Sequence, residues 1–318
     1  MPFAAGGGRA TPFRARPPMI SRARKWSNIR HAMSSHSTRP AAVAGSWYPG
    51  HPGALAAEVD RYLGAVQGLP SGDVVGIVAP HAGLMFSGPV GAYAYRLVAN
   101  RPYDAVVVIG PSHHVAFSGV AVDRRAGWET PFGVAPIARD LVSALMAATA
   151  LARDLPGPHA REHSLEMQMP FLMRVLPGVP IVPLVMGHQE RGTVDEIAAA
   201  LSAVLEGRRP LLVASSDLSH YRPADEASML DRRVLDLVAA FDADGLMAAL
   251  ERQHEHACGG GPIACVMRAS RLLGAVEARV LHYADSGDVS GDKSAVVGYA
   301  AAAFGTFAAA APGPVTVH

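Results

Sequence analysis

No Asp or Glu precedes Glu58, cysteine occurs twice in 318 residues, and no apolar run is long enough to span a membrane. Each absence excludes a class of protein. Two cysteines, Cys258 and Cys265, cannot build a disulfide framework or a four-cysteine zinc site, and they fit a reducing compartment. A spanning helix needs roughly 20 consecutive apolar residues, and the N-terminus lacks the apolar core of a secretory signal. A cytoplasmic protein with no membrane partner is therefore expected. Charge is sparse as well: 17% of residues are charged and the net charge is +1, which gives no whole-chain attraction for nucleic acid. What is abundant is apolar surface, since half the residues are hydrophobic, enough for a sizeable core.

The acid-free start is a separate object. Arg9, Arg14, Arg16, Arg22, Arg24, Lys25, Arg30 and Arg39 crowd it among Pro, Gly and Ser without helical or strand periodicity. Residues 1–38 are thus expected to form a disordered basic tail. An organelle transit peptide and a mis-assigned start codon, with Met33 or Met19 as initiator, both fit this composition. A single α/β domain is expected over residues 39–307, followed by a flexible tail over 308–318.

From Val74 onward, short apolar runs alternate with amphipathic stretches of helical length, the pattern of βαβ units and a largely parallel or mixed sheet between two helix layers. Strands are predicted at Val74–Ala79, Ala105–Ile109, Val179–Val185, Leu211–Ala214, Ala278–His282 and Ser294–Ala300. Predicted helices cover Leu55–Val66, Pro89–Ala99, Arg139–Ala150, Ser164–Val175, Val194–Leu205, Ala224–Phe241, Asp244–Gln253 and Pro262–Leu273, with Pro262 at a first helical position.

Polar chemistry collects where strands end. Three predicted strands run into Pro80-His81-Ala82-Gly83, Gly110-Pro111-Ser112-His113-His114 and Ser215-Ser216-Asp217-Leu218-Ser219-His220. Ligands of open α/β sheets bind beyond the carboxyl ends of strands, so a shared pocket is expected there. Taken singly, His81 reads as a hydrogen-bonded turn residue. Two histidines directly after an apolar strand point at least one imidazole inward, and imidazole is a common metal ligand.

Asp217 and His220, three apart, share a face if the segment is helical; the carboxylate would then orient the imidazole as a general base. The alternative is a helix-capping Asp beside an incidental His. Ser216 permits a nucleophilic serine, although the nucleophile-elbow pattern is absent. Cys258 precedes Gly259-Gly260-Gly261, whose flexibility allows close approach to a ligand, while Cys265 reads as a small buried hydrophobe. His254 and His256 read as a solvated polar stretch. Glu162 and Glu166 would stand on one helix face, with solvent relieving their repulsion. The Asp285–Lys293 run lacks the spacing of a calcium loop and reads as a loop over the pocket.

In order along the chain, Ala44-Gly45-Ser46-Trp47-Tyr48-Pro49, Pro80-His81-Ala82-Gly83, Gly110-Pro111-Ser112-His113-His114, Glu162-His163-Ser164-Leu165-Glu166, Ser215-Ser216-Asp217 with His220, Cys258-Gly259 with Pro262-Ile263, and the Tyr283-Ala284 and Gly298-Tyr299 region resemble the Memo family. That family includes the proteins called AmmeMemoRadiSam system protein B. The resemblance spans roughly residues 42–306 and implies a fold similar to the class III extradiol dioxygenases, which are non-haem Fe(II) enzymes. It implies His81, His113 and Cys258 as metal ligands, with Asp217 and His220 as supporting acid/base groups. A Cys in the third place departs from the two-His, one-carboxylate pattern of those dioxygenases and admits copper or zinc besides Fe(II). The implied function is a metal-dependent, dioxygenase-like oxidoreductase. A ligand- or peptide-binding module and a Ser216/Asp217/His220 or zinc hydrolase are the alternatives. A small molecule or peptide is the implied ligand, and a radical-SAM protein the partner that the family association suggests.

Overall fold

The computed structural model describes Pro2 and residues 37–252 and 256–308. Most of the basic stretch, residues 309–318 and His254 lie outside the described residues. Residues 37 and 38, assigned above to the tail, belong to the fold: β1 (Thr38–Arg39) pairs in parallel with β5 (Gly127–Thr130), which pairs antiparallel with β6 (Gly133–Pro136). At the other end, Ala308 still donates its N–H to the Ser71 carbonyl.

The main sheet is centred on four strands: β2 (Gly72–Ala79), β3 (Ala105–Pro111), β8 (Ile181–Met186) and β9 (Pro210–Ser215). They lie side by side as β2-β9-β3-β8, all parallel. β8, β9 and β3 are buried along their whole length, which is why their sequences read as continuous Val/Ile/Leu runs instead of alternating. Antiparallel strands complete the sheet on both sides. β12 (Val296–Phe307) runs beside β2 and also pairs with β11 (Glu277–Asp285) and β10 (His220–Arg222). β4 (Val120–Val122) pairs antiparallel with β8 and in parallel with β7 (Ala152–Asp154).

Helices flank this sheet in two groups. One comprises α1 (Pro52–Ala65), α2 (Leu84–Val98) and α5 (Met169–Val175); the other comprises α3 (Arg139–Ala148), α6 (Arg191–Val204), α8 (Ala243–Arg252) and α9 (Gly260–Leu272). The short α4 (Pro156–His159), α7 (Ala224–Ala239), which packs on β11 and β12, and the short α10 (Gly287–Ser290) complete the set. The fold is thus a mixed α/β sheet with flanking helix layers, as the alternating pattern predicts. No described helix is long and apolar enough to cross a membrane.

The differences have local causes. α2 begins five residues before Pro89, which sits inside the helix at the expense of one backbone bond. Pro262 is the third residue of α9, still in the first turn, where no N–H is needed. The helix predicted from Ser164 starts later: residues 164–165 form a turn, and a 3₁₀ turn over Glu166–Gln168 leads into α5. Strands β1, β4–β7 and β10 were not predicted, because two to four residues carry too little pattern.

Candidate metal centre

Because β2, β9 and β3 are adjacent and parallel, their carboxyl ends open on one place, and the segments after Ala79, Pro111 and Ser215 converge there. Cys258 arrives from a different part of the chain, just before α9. The Gly259 backbone lies so close to β9 that a Cβ at this position would come within 2.4 Å of the Ser215 carbonyl oxygen. Only glycine permits that approach, and it brings the adjacent thiol against the strand ends.

One ligand atom each from His81, His113 and Cys258 lies within 4.8 Å of the others. The Cys258 Sγ stands 3.2 Å from His81 Nε2 and accepts the Asp217 N–H at 3.3 Å. His81 Nδ1 meets the Ser215 hydroxyl at 2.9 Å. His113 is oriented by a fully buried carboxylate: Glu162 accepts its Nδ1–H at 2.8 Å and its backbone N–H at 2.7 Å. A carboxylate can only accept, so His113 carries its proton on Nδ1 and leaves Nε2 with a free lone pair.

Burial works to raise the Glu162 carboxyl, but the His113 ring and the backbone N–H groups of His113 and Ser164 override it and hold the acid well below the usual carboxylate range. Burial, then the neighbouring His113 and His163, drives His81 well below the usual imidazole range, so it is neutral. Burial, then Asp217, pushes the Cys258 thiol up; binding a cation there would release its proton. Two imidazoles and one sulfur, with one imidazole held by a buried carboxylate, are a donor set suited to a transition metal.

The Memo-like protein family model matches residues 39–303. The chain belongs to the Memo family. Curated Memo-family relatives are similar to it over most of their length. The MEMO1 family protein of Methanothermobacter thermautotrophicus is 37% identical over 272 residues, covering 82% of this chain and 98% of the relative. That of Methanopyrus kandleri is 38% identical over 278 residues, covering 84% and 98%.

In this Memo-family chain, the expected Asp217–His220 pair is not joined by a hydrogen bond. The segment after β9 is extended, not helical: Leu218 donates to the Gly298 carbonyl and Gly298 donates to that of Ser219. A three-residue spacing therefore does not bring the two side chains onto one face. Asp217 Oδ1 instead accepts the N–H groups of His81 at 2.7 Å and Ala82 at 3.3 Å. The Leu218 backbone holds the His220 ring, which burial drives below the usual imidazole range. Both residues nonetheless line the same cavity. Burial pushes the Asp217 carboxyl up to about 7 despite the two N–H donors. The Ser216 hydroxyl is buried and already engaged, donating to the Asp217 carbonyl and accepting from Gly259.

Glu162 and Glu166 were expected to share solvent; both are buried. Glu166 pairs with the buried Arg39 guanidinium at 2.5 Å and accepts from the Tyr48 hydroxyl and the Ala42 and Val43 N–H groups. His163, between these acids in sequence, is the site residue that sequence reasoning missed. Its ring stacks on His113 at 4.4 Å and packs against Trp47 at 4.4 Å, and His113, Glu162 and His163 form a second group able to hold a cation. Burial first, then His113, lowers it to about 4. Its signal was the motif itself, a His between two acids in the Glu162-His163-Ser164-Leu165-Glu166 run.

The cavity encloses about 530 Å³ and has an apolar rim of Trp47, Met85, Phe86 and Tyr221 over a polar floor of His81, His113, His163, Asp217 and His220. The loop over Asp285–Lys293, expected to cover it, is instead closed on itself by Lys293, which bridges Asp285 and Asp288. Cys265 is buried in α9, as a small hydrophobe would be. His256 is buried, not solvated.

Proposed function

We propose that this Memo-family protein is a metal-dependent oxidoreductase in which His81, His113 and Cys258 hold iron(II) or copper. The observation that carries this reading is the convergence of two imidazole nitrogens and a thiol at the carboxyl ends of adjacent parallel strands. A redox-active metal there would supply one-electron and O₂ chemistry.

The chain's own residues have separable tasks. Glu162 holds the His113 ring in one tautomer and orientation. Asp217, whose carboxyl titrates near neutrality while the site holds no cation, is suited to keep or release a proton at the cavity wall; a cation bound nearby would lower it. His220, which lines the same cavity and which burial holds below the usual imidazole range, serves as a neutral base. Trp47, Phe86, Met85 and Tyr221 exclude water from an apolar or aromatic part of a substrate.

Elemental analysis of anaerobically purified protein tests the reading. Wild type should carry stoichiometric iron or copper, and His81→Ala and Cys258→Ser should each lose it. Metal retained in both variants, or never taken up by wild type after reconstitution, overturns it. The apolar rim also favours a second reading, a pocket that binds a small molecule or peptide without turnover. Saturable turnover by metal-loaded protein would eliminate that one.

A further inference from the structure

A chain of buried side chains runs away from the centre behind His81. The Tyr95 hydroxyl lies 2.6 Å from Gln168 Oε1; Gln168 Nε2 lies 2.6 Å from the Ser215 hydroxyl and 3.1 Å from the Pro80 carbonyl; the Ser215 hydroxyl lies 2.6 Å from the Ser164 carbonyl. His81 Nδ1, at 2.9 Å from Ser215 Oγ, completes it. Tyr95, Gln168, Ser215 and His81 are all buried, so solvent cannot substitute for any member.

Only one assignment of protons satisfies every pair. The Pro80 and Ser164 carbonyls accept and never donate, so the Gln168 amide must present its NH₂ to them and its oxygen to Tyr95. Tyr95, whose burial pushes its hydroxyl well above the usual phenol range, is then a donor. The Ser215 hydroxyl has one proton. At 2.6 Å from the Ser164 carbonyl it must spend that proton there, because two bare oxygens at this distance repel. Ser215 Oγ, with Gln168 donating to one lone pair, can only accept from His81. The proton of His81 is thereby placed on Nδ1.

We infer that Ser215 and Gln168 are positioning residues of the centre: they hold His81 in the Nδ1–H tautomer, so that its Nε2 lone pair faces Cys258 and His113. Ser215 does for His81 what Glu162 does for His113, with a neutral relay in place of a carboxylate. The relay neutralises no charge at the centre, and Glu162 adds one. The centre therefore has one imidazole backed by an anion and one backed by a dipole. This inference rests on the metal-site reading for its functional meaning, but its structural content can be tested without any metal.

The experiment is nitrogen-15 NMR of histidine-labelled, metal-free full-length protein near pH 8, with His81 assigned by its loss in His81→Ala. Wild type should show His81 with a protonated Nδ1 and a bare Nε2. Ser215→Ala removes the acceptor and should move the ring toward the Nε2–H form or a mixture; Ser215→Thr, which keeps the hydroxyl, should restore the wild-type pattern. Zinc or cobalt(II) affinity, measured by chelator competition, should fall roughly 10–100-fold in Ser215→Ala and recover in Ser215→Thr. If Ser215→Ala does not fold, Ser215→Cys, whose sulfur is a far weaker acceptor than a hydroxyl oxygen, should move the ring in the same direction. A wild-type His81 carrying its proton on Nε2, or a tautomer unchanged in a folded Ser215→Ala, overturns the inference. The expected NMR result without measurable metal affinity in wild type would instead retain the relay and overturn the metal-site reading.

Discussion

Glu162 accepts both the Nδ1–H of His113 at 2.8 Å and its backbone N–H at 2.7 Å, so one buried carboxylate fixes the ring and the chain that carries it. The Ser164 N–H, at 2.9 Å from Oε1, closes the grip.

Glu162→Gln keeps the size but replaces one acceptor oxygen with an NH₂ that must face an N–H. A buried donor–donor clash of this kind costs about 1–3 kcal/mol. Urea unfolding should show that loss, and chelator competition should show zinc binding weakened roughly 10–100-fold. Wild-type stability and affinity in the variant would mean that Glu162 does not orient His113.

Arg39 and Glu166 are 0% and 1% exposed, and Arg39 also donates to the carbonyls of His159 and Glu162 while lying 4.3 Å over the Trp128 ring. Removing one partner of a buried ion pair leaves the other charge uncompensated, at a cost of about 3–5 kcal/mol. Arg39→Ala should lose at least this much by denaturant unfolding. Glu166→Gln, which leaves a neutral acceptor, should lose less. Equal small losses in both would contradict a coupled buried pair.

Stability should fall below neutral pH through His159. Burial lowers it from 6.5 to about 4, so the folded protein keeps it neutral in a window where the unfolded chain already binds a proton. The unfolded state then holds more protons, and stability declines as pH drops from 6.5 toward 4, by about 3 kcal/mol over the window. His159→Gln retains a donor for the Ala121 carbonyl without a titrating group and should flatten that slope relative to wild type. Parallel slopes would show that His159 is not the group responsible.

The strands and helices that carry long apolar runs were legible because burial on both faces leaves a pattern in sequence. The short ones were not: β1, β4 and β10 exist only because a partner strand fixes them. His81 and His113 were legible as candidate ligands because each comes shortly after an apolar strand, where loops converge, whereas Cys258, which precedes three glycines, joined them only through the family resemblance. Asp217 and His220 were legible as members of the cavity but not as partners, because spacing predicts a shared face only when the local conformation is known.

The sequence alone determined the α/β alternation, the central strands and the residue types gathered at their carboxyl ends, since hydrophobic period and loop chemistry are local properties. Tertiary structure decided which groups hold which. Strand order set β9 between β2 and β3, putting Ser215 behind His81 and Gly259 against β9. A chain reversal of more than a hundred residues put Arg39 beside Glu166, turning two acids expected in water into a buried brace for His113 and the N-terminal strand. Hydrogen-bond partners far apart in sequence leave no local periodicity, so only the folded chain shows which donor meets which acceptor.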